Sequence, residues 1–183
     1  MSFLPLETPR LTLRRFKDED LEPFLTYRNH PDVARYQSWL LWTREQAADF
    51  LREQRNVNPE TLGRWFQYAL ELKSTGELIG DCGTCLKAET PRTSEVGFSL
   101  ALEHQGKGLA SEAVSRIVDQ AFRDLEVQRM IAVAMRENVR SASLLTRLGF
   151  RPGRPEKVWF KGSWREEVRF SLKREDWLRS HPD

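Results

Sequence analysis

The stretch from Glu95 to Leu125, EVGFSLALEHQGKGLASEAVSRIVDQAFRDL, restricts the fold more than any other part of the chain. Val96, Phe98, Leu100 and Leu102 alternate with Glu95, Gly97, Ser99 and Ala101, which predicts a strand with two unlike faces. Leu109, Ala110, Ala113, Val114, Ile117, Val118, Ala121, Phe122 and Leu125 then recur at helical spacing and predict a helix with one apolar stripe. Between the two lies His104-Gln105-Gly106-Lys107-Gly108, where glycines permit backbone shapes that a Cβ would block. A glycine loop running into a helix N-terminus gathers unpaired N–H groups at one point, with the helix dipole behind them. Such a point suits an anion, above all a phosphate.

Two familiar phosphate loops do not fit. A P-loop requires Gly-Lys followed by Ser or Thr, but Gly108 follows Lys107 and Ala101 stands where the first glycine belongs. In the dinucleotide fingerprint Gly106 and Gly108 supply two glycines, yet the last small position falls on Ser111. The nearest ribose-binding acid, Glu137, lies well beyond the roughly 20 residues expected.

Gln105-x-x-Gly108-x-Ala110 resembles the Gln/Arg-x-x-Gly-x-Gly/Ala motif of the GNAT N-acetyltransferase superfamily. The surrounding strand, the helix with Ser111-Glu112-Ala113, the next strand and the Asn138 helix follow in that family's order. The likeness runs from about Pro9 to Trp177 and points to the RimJ/RimL-like branch, the ribosomal-protein N-terminal acetyltransferase type. The resemblance implies acetyl-CoA as donor, with its diphosphate on the amides of Gln105, Gly106, Lys107, Gly108, Leu109 and Ala110. It assigns the backbone of Phe98, Ser99 and Leu100 to the pantetheine arm and acetyl carbonyl, at a place where the sheet should splay.

The resemblance also implies direct transfer to an amine, without a covalent enzyme intermediate. Glu95 stands where several relatives carry a carboxylate that serves as base directly or through water; a salt-bridge role is the plainer reading. Glu103 is an alternative base, and Glu112 is expected to stabilise the helix start. Asn138-Val139-Arg140-Ser141 matches the family's Asn-x-x-Ser/Ala helix start, but Leu145 stands where many members carry a tyrosine acid. Ser141 is then the group left to meet the CoA sulfur, and Asn138 either bonds the pantetheine arm or caps its helix. Trp39 and Trp42 are either core lids or a wall of the acceptor pocket. The expected acceptor is a protein or peptide N-terminal α-amine, then a small amine. The rival reading is a non-catalytic CoA-binding module. Gly97-Phe98-Ser99-Leu100-Ala101 approaches a nucleophile elbow, but it lies inside a strand and lacks a suitably placed histidine.

A chain of 183 residues is expected to form one domain over 1–183. Its net charge of +2, without a basic tail, argues against nucleic acid as partner. No signal peptide or apolar run of membrane-spanning length is seen, so a cytoplasmic protein is expected. Cys82 and Cys85 fall in an extended segment, whose Cα atoms three residues apart lie roughly 10 Å from each other, beyond disulfide reach. His30, His104 and His181 are scattered, so no metal site is expected.

Elsewhere the chain reads as a strand over Arg10–Phe16 and a helix with Leu21, Phe24 and Leu25 behind Asp18-Glu19-Asp20. A turn at Pro31–Tyr36 precedes a helix from the capping box Thr43-x-x-Gln46 to about Asn56. A hairpin spans Phe66–Cys85 around Ser74-Thr75-Gly76, and a buried strand covers Arg129–Met135. Asn138 opens a helix ending at Leu148 before Gly149, and strands flank the turn Trp159–Trp164. The fold class is α+β in the GNAT pattern: a mixed, mostly antiparallel, twisted sheet of about six to seven strands flanked by about four helices. Its edge strands near the C-terminus make a homodimer a candidate assembly.

Overall fold

The computed structural model describes residues 4–182. It begins with β1 (Leu6–Glu7), β2 (Leu11–Arg14), a 3-10 turn (Asp18–Asp20), α1 (Leu21–Arg28), α2 (Pro31–Ala34) and α3 (Arg44–Gln54). Then come β3 (Trp65–Leu72), β4 (Leu78–Lys87), β5 (Thr93–Leu100), a 3-10 turn (Leu102–His104) and α4 (Leu109–Arg123). The chain ends with β6 (Arg129–Met135), α5 (Val139–Arg147), β7 (Arg151–Phe160), β8 (Ser163–Lys173) and α6 (Arg174–Ser180). One eight-stranded sheet has the order β1-β2-β3-β4-β5-β6-β8-β7. All neighbours are antiparallel except β5 and β6, whose parallel pairing needs the crossover helix α4.

The expected class holds, with more elements than the sequence showed. Strand β1 has two residues, too few for a period to register, and α6 has seven with Trp177 its buried residue. The turn before α1 also works differently from the expectation. Asp20 is buried and accepts from Lys17 N at 2.7 Å and from Arg14 at 2.7 and 2.9 Å, so it pins the end of β2.

The sheet is the middle layer. On one face α4 buries Ala113, Val114, Ile117, Val118 and Phe122 against Val96, Leu100, Met130 and Leu145. Each such aliphatic side chain withdrawn from water contributes roughly 1.5–3 kcal/mol. On the other face α1 and α3 build a smaller core of Phe16, Phe24, Tyr27, Ala47 and Leu51. Thr43 and Gln46 cap α3 reciprocally, as their spacing predicts. At the end of α5, Gly149 adopts φ +87°. Gly149 N donates to Thr146 O and Phe150 N to Leu145 O, each at 3.0 Å, closing the helix as a Schellman turn. Cys82 and Cys85 are free buried thiols, and their odd spacing along β4 sends them to opposite faces. Edge strand β7 carries Pro152 and Pro155, which remove ladder donors and weaken the edge-strand argument for a dimer. Among the described residues no helix is long and apolar enough to cross a membrane.

Candidate functional site

The parallel pair β5–β6 opens after three residues. Thr93, Ser94 and Glu95 pair with Arg129, Met130 and Ile131, and there the pairing ends. Strand β5 continues to Leu100 beside β4, while β6 continues to Met135 beside β8. Each strand keeps its antiparallel partner, and the sheet parts at the pairing that is weaker per residue. The splay that the family resemblance implies is therefore present.

Alternation decides which backbone groups face the gap. Ala101 N donates to Ile79 O at 2.9 Å, on the β4 side. Ser99, opposite Asp81, shares that direction. The groups of Phe98 and Leu100 turn to the gap, where Phe98 O accepts from Gln37 Nε2 at 3.3 Å and Leu100 O from Gln105 Nε2 at 3.0 Å. Of the three backbone residues expected here, Phe98 and Leu100 present polar edges and Ser99 does not.

At the end of β5 the loop Gln105–Gly108 enters α4. Gly106 and Gly108 adopt φ +73° and +79°, the left-handed region that favours glycine. Space is not the constraint: a Cβ on Gly106 would meet nothing within 4 Å. Gly106, Lys107 and Gly108 are exposed, while the Leu109 side chain anchors in the core and Ala110 is half-buried. Successive left-handed and helical residues turn their amides into one concavity, the backbone form of an anion site. Across the gap, α5 starts with Asn138, whose side chain accepts from Ser141 N at 3.2 Å. Asn138 thus caps its helix, and Ser141 stays half-buried on the first turn. Leu145 is fully buried, so that position is part of the core. Arg140 Nη1 donates to Gln105 Oε1 at 3.3 Å, bringing α5 to the loop.

The expected role of Glu112 at the helix start needs correction. Its carboxylate accepts from Thr8 Oγ1 at 2.6 Å, Arg10 N at 2.8 Å and Arg10 Nε at 2.6 Å. Burial alone would raise its pKa, but these bonds and the Arg10 charge hold it below the usual carboxylate range.

The other face of β5 carries Glu95, Gly97 and Ser99. Glu95 pairs with Lys87 Nζ at 2.6 Å, and that ammonium lies 5.6 Å from the centre of the Trp65 ring. The ring lies across Gly97, 3.7 Å from the point a Cβ there would occupy. Burial works against the Lys87 charge, but Glu95 outweighs it and holds the Lys87 pKa up. Glu167 on β8 joins this face from the opposite lip. Burial first, then Glu156 and Glu95, raise its pKa, and it carries no ion pair among the described residues. Glu103 is exposed in the turn after the strand.

Trp39 and Trp42 are placed by α1. The Trp39 ring sits 3.8 Å over the Arg28 guanidinium and Nε1 donates to Arg28 O at 3.1 Å. Beneath it Arg28 binds Asp81 at 2.8 and 3.0 Å, and the Tyr27 hydroxyl donates to the same carboxylate. Trp42 packs on Phe24 and Phe50 at centroid distances of 5.7 and 5.1 Å. Both tryptophans serve the small core, and the connector reaches the gap through Gln37 instead. Gln37, Glu167 and Arg10 were missed by the sequence reading. Gln37 lies outside helices and strands, and Glu167 sits in an ordinary alternation that does not reveal its neighbours.

Compared with known proteins, residues 10–151 match the family described as "Acetyltransferase (GNAT) domain". The N-acetyltransferase p20 of Bacillus licheniformis is 34% identical over 146 residues, 79% of this chain and 81% of that one. The ribosomal protein uS5-alanine N-acetyltransferase of Escherichia coli is 36% identical over 84 residues, 45% of this chain and 43% of that one. The crystal structure of ribosomal-protein-S5-alanine acetyltransferase from Vibrio fischeri superposes with a TM-score of 0.80 at 25% identity, covering 95% of this chain and 98% of that one. The opened strand pair, the glycine loop at its end and these matches lead to one conclusion: the chain belongs to the GNAT family of acetyl-CoA-dependent N-acetyltransferases.

Proposed function

We propose that the acceptor is an α-amine at a protein or peptide N-terminus, with a small amine as second class. The observation that carries the reading of the site is the parting of β5 from β6 beside the glycine loop. The amides from Gln105 to Ala110 would hold the diphosphate of acetyl-CoA, and the Phe98 and Leu100 edges would pair with its pantetheine arm. That donor supplies an acetyl group already activated as a thioester. Ser141 is placed to donate its hydroxyl toward the departing sulfur, and Asn138 holds that helix start in shape.

On the opposite face, two carboxylates await an ammonium. Glu95 already carries Lys87, whereas Glu167 has a raised pKa and no ion pair among the described residues. We assign the proton to Glu167 and leave Glu95 to shape the charge around it. An α-amine near pKa 7.8 gives up its proton at pH 7 for about 1 kcal/mol, and a lysine near 10.4 for about 4.6 kcal/mol. One weakly activated base suits the former. The names of the Escherichia coli and Vibrio fischeri relatives, which specify a ribosomal-protein alanine, support the same acceptor class.

Release of free CoA thiol tests this reading with an alanine-N-terminal peptide, a lysine-containing peptide blocked at its N-terminus, and a polyamine. The alanine peptide is expected to turn over about ten-fold faster than the blocked one at neutral pH, given the difference in amine basicity. Saturable CoA binding without thiol release for any amine would return the chain to a non-catalytic coenzyme-binding role.

A further inference from the structure

The phosphate loop is supported from outside its own motif. Arg10, immediately before β2, donates from Nη1 to Lys107 O at 2.9 Å and from Nε to Glu112 Oε2 at 2.6 Å. Its Nη2 lies 3.4 Å from the point a Cβ on Gly108 would occupy. The guanidinium therefore rests against the loop backbone and bridges two points of it, Lys107 and the first turn of α4.

Both contacts bear on an anion. Lys107 lies between two left-handed glycines, so a peptide flip there costs little. A flipped Lys107 carbonyl would point an oxygen among the amides and repel phosphate; the Arg10 bond ties it back. Glu112 is a carboxylate in the first turn of the helix whose N-terminus forms the anion site. Left uncancelled, its charge would oppose a diphosphate across a short, partly desolvated path.

We infer that Arg10 and Glu112 form a matched pair that positions the loop for the coenzyme, Arg10 holding the Lys107 carbonyl away from the diphosphate and cancelling the Glu112 charge. Arg10 is thus a positioning residue for acetyl-CoA. The inference rests on the reading of residues 105–110 as the diphosphate site.

Equilibrium titration of the full chain with CoA and with pantetheine, which lacks the phosphates, separates the outcomes. The unaltered protein should bind CoA on the order of a hundred-fold tighter than pantetheine, the share due to charge-assisted phosphate contacts. If it does not, the diphosphate site is misplaced and this inference falls with it. Arg10→Met should weaken CoA on the order of ten-fold and leave pantetheine unchanged, since the charge acts on phosphate alone. Adding Glu112→Gln should recover about three-fold or more of that loss by removing the exposed charge. An Arg10→Met protein that binds CoA normally overturns the pairing while the site reading stands. So does a double variant no better than the single, or an equal loss for CoA and pantetheine, which marks general disruption.

Discussion

The two faces of β5 are built in different ways. The coenzyme side is backbone: two left-handed glycines, the first amides of α4 and the unpaired edge at Phe98 and Leu100. Its side chains, Arg10, Glu112 and Gln105, act as struts behind it. The acceptor side is side chain: Lys87 from β4, Glu95 from β5, Trp65 from β3, Glu167 from β8 and Gln37 from the α2–α3 connector. Backbone sites are written in a few consecutive residues, because φ, ψ and amide direction are local properties. A site of scattered side chains is written in strand register. The coenzyme side is therefore the constant half of the molecule, and the acceptor side the half that is free to vary.

Three substitutions would break or sharpen that contrast. The largest effect belongs to the wall behind the acceptor face. Arg28→Met leaves the Asp81 carboxylate buried with Tyr27 under Trp39. Stripping a buried ion pair of one partner costs about 3–5 kcal/mol, read by denaturant unfolding. A loss below about 1 kcal/mol, the worth of an exposed pair, would mean that Asp81 does not depend on Arg28 and that this wall is not held by side chains.

Gly108→Asp attacks the backbone side. It puts a Cβ in the left-handed region and a negative charge at the anion site. Acetyl-CoA affinity should fall about a hundred- to a thousand-fold, about 2.7–4 kcal/mol, in calorimetry. Unchanged affinity would remove the loop from the coenzyme site.

The smallest effect divides the two carboxylates. Glu167 works when ionised, and its pKa is raised, so kcat/KM should climb with pH through a point above the usual glutamate value of about 4.3 and then level. Glu167→Gln should lower kcat/KM about a hundred-fold and abolish that limb. Glu95→Gln should cost no more than about ten-fold, since Glu167 remains as base. Removing the Glu95 charge also relieves repulsion on Glu167, so the limb should move to lower pH. A limb that vanishes with Glu95 and survives loss of Glu167 reverses the assignment.

How far the sequence could be read follows the same division. The strand, loop and helix from Glu95 to Leu125 were legible residue by residue, because alternation, glycine placement and the apolar stripe are short-range signals. The α3 capping box and the end of α5 at Gly149 were legible for the same reason. Glu95 stood out through the family resemblance, but its Lys87 partner, eight residues earlier in the chain, becomes a neighbour only through the β4–β5 register. Glu167 likewise comes into range through the β6–β8 pairing. Trp39 and Trp42 drew notice by size, yet what they cover is a buried arginine on α1, invisible to any local pattern.

By itself the sequence determined the order and type of the main elements and a loop shaped for phosphate. Those depend on periodicity and on the one residue type without a Cβ. Only the tertiary structure decided where β5 parts from β6, which backbone edges face that gap, and which charges meet across it. Those outcomes arise from strands competing for partners and from registers that bring residues as distant as Arg10 and Glu112 within hydrogen-bond reach.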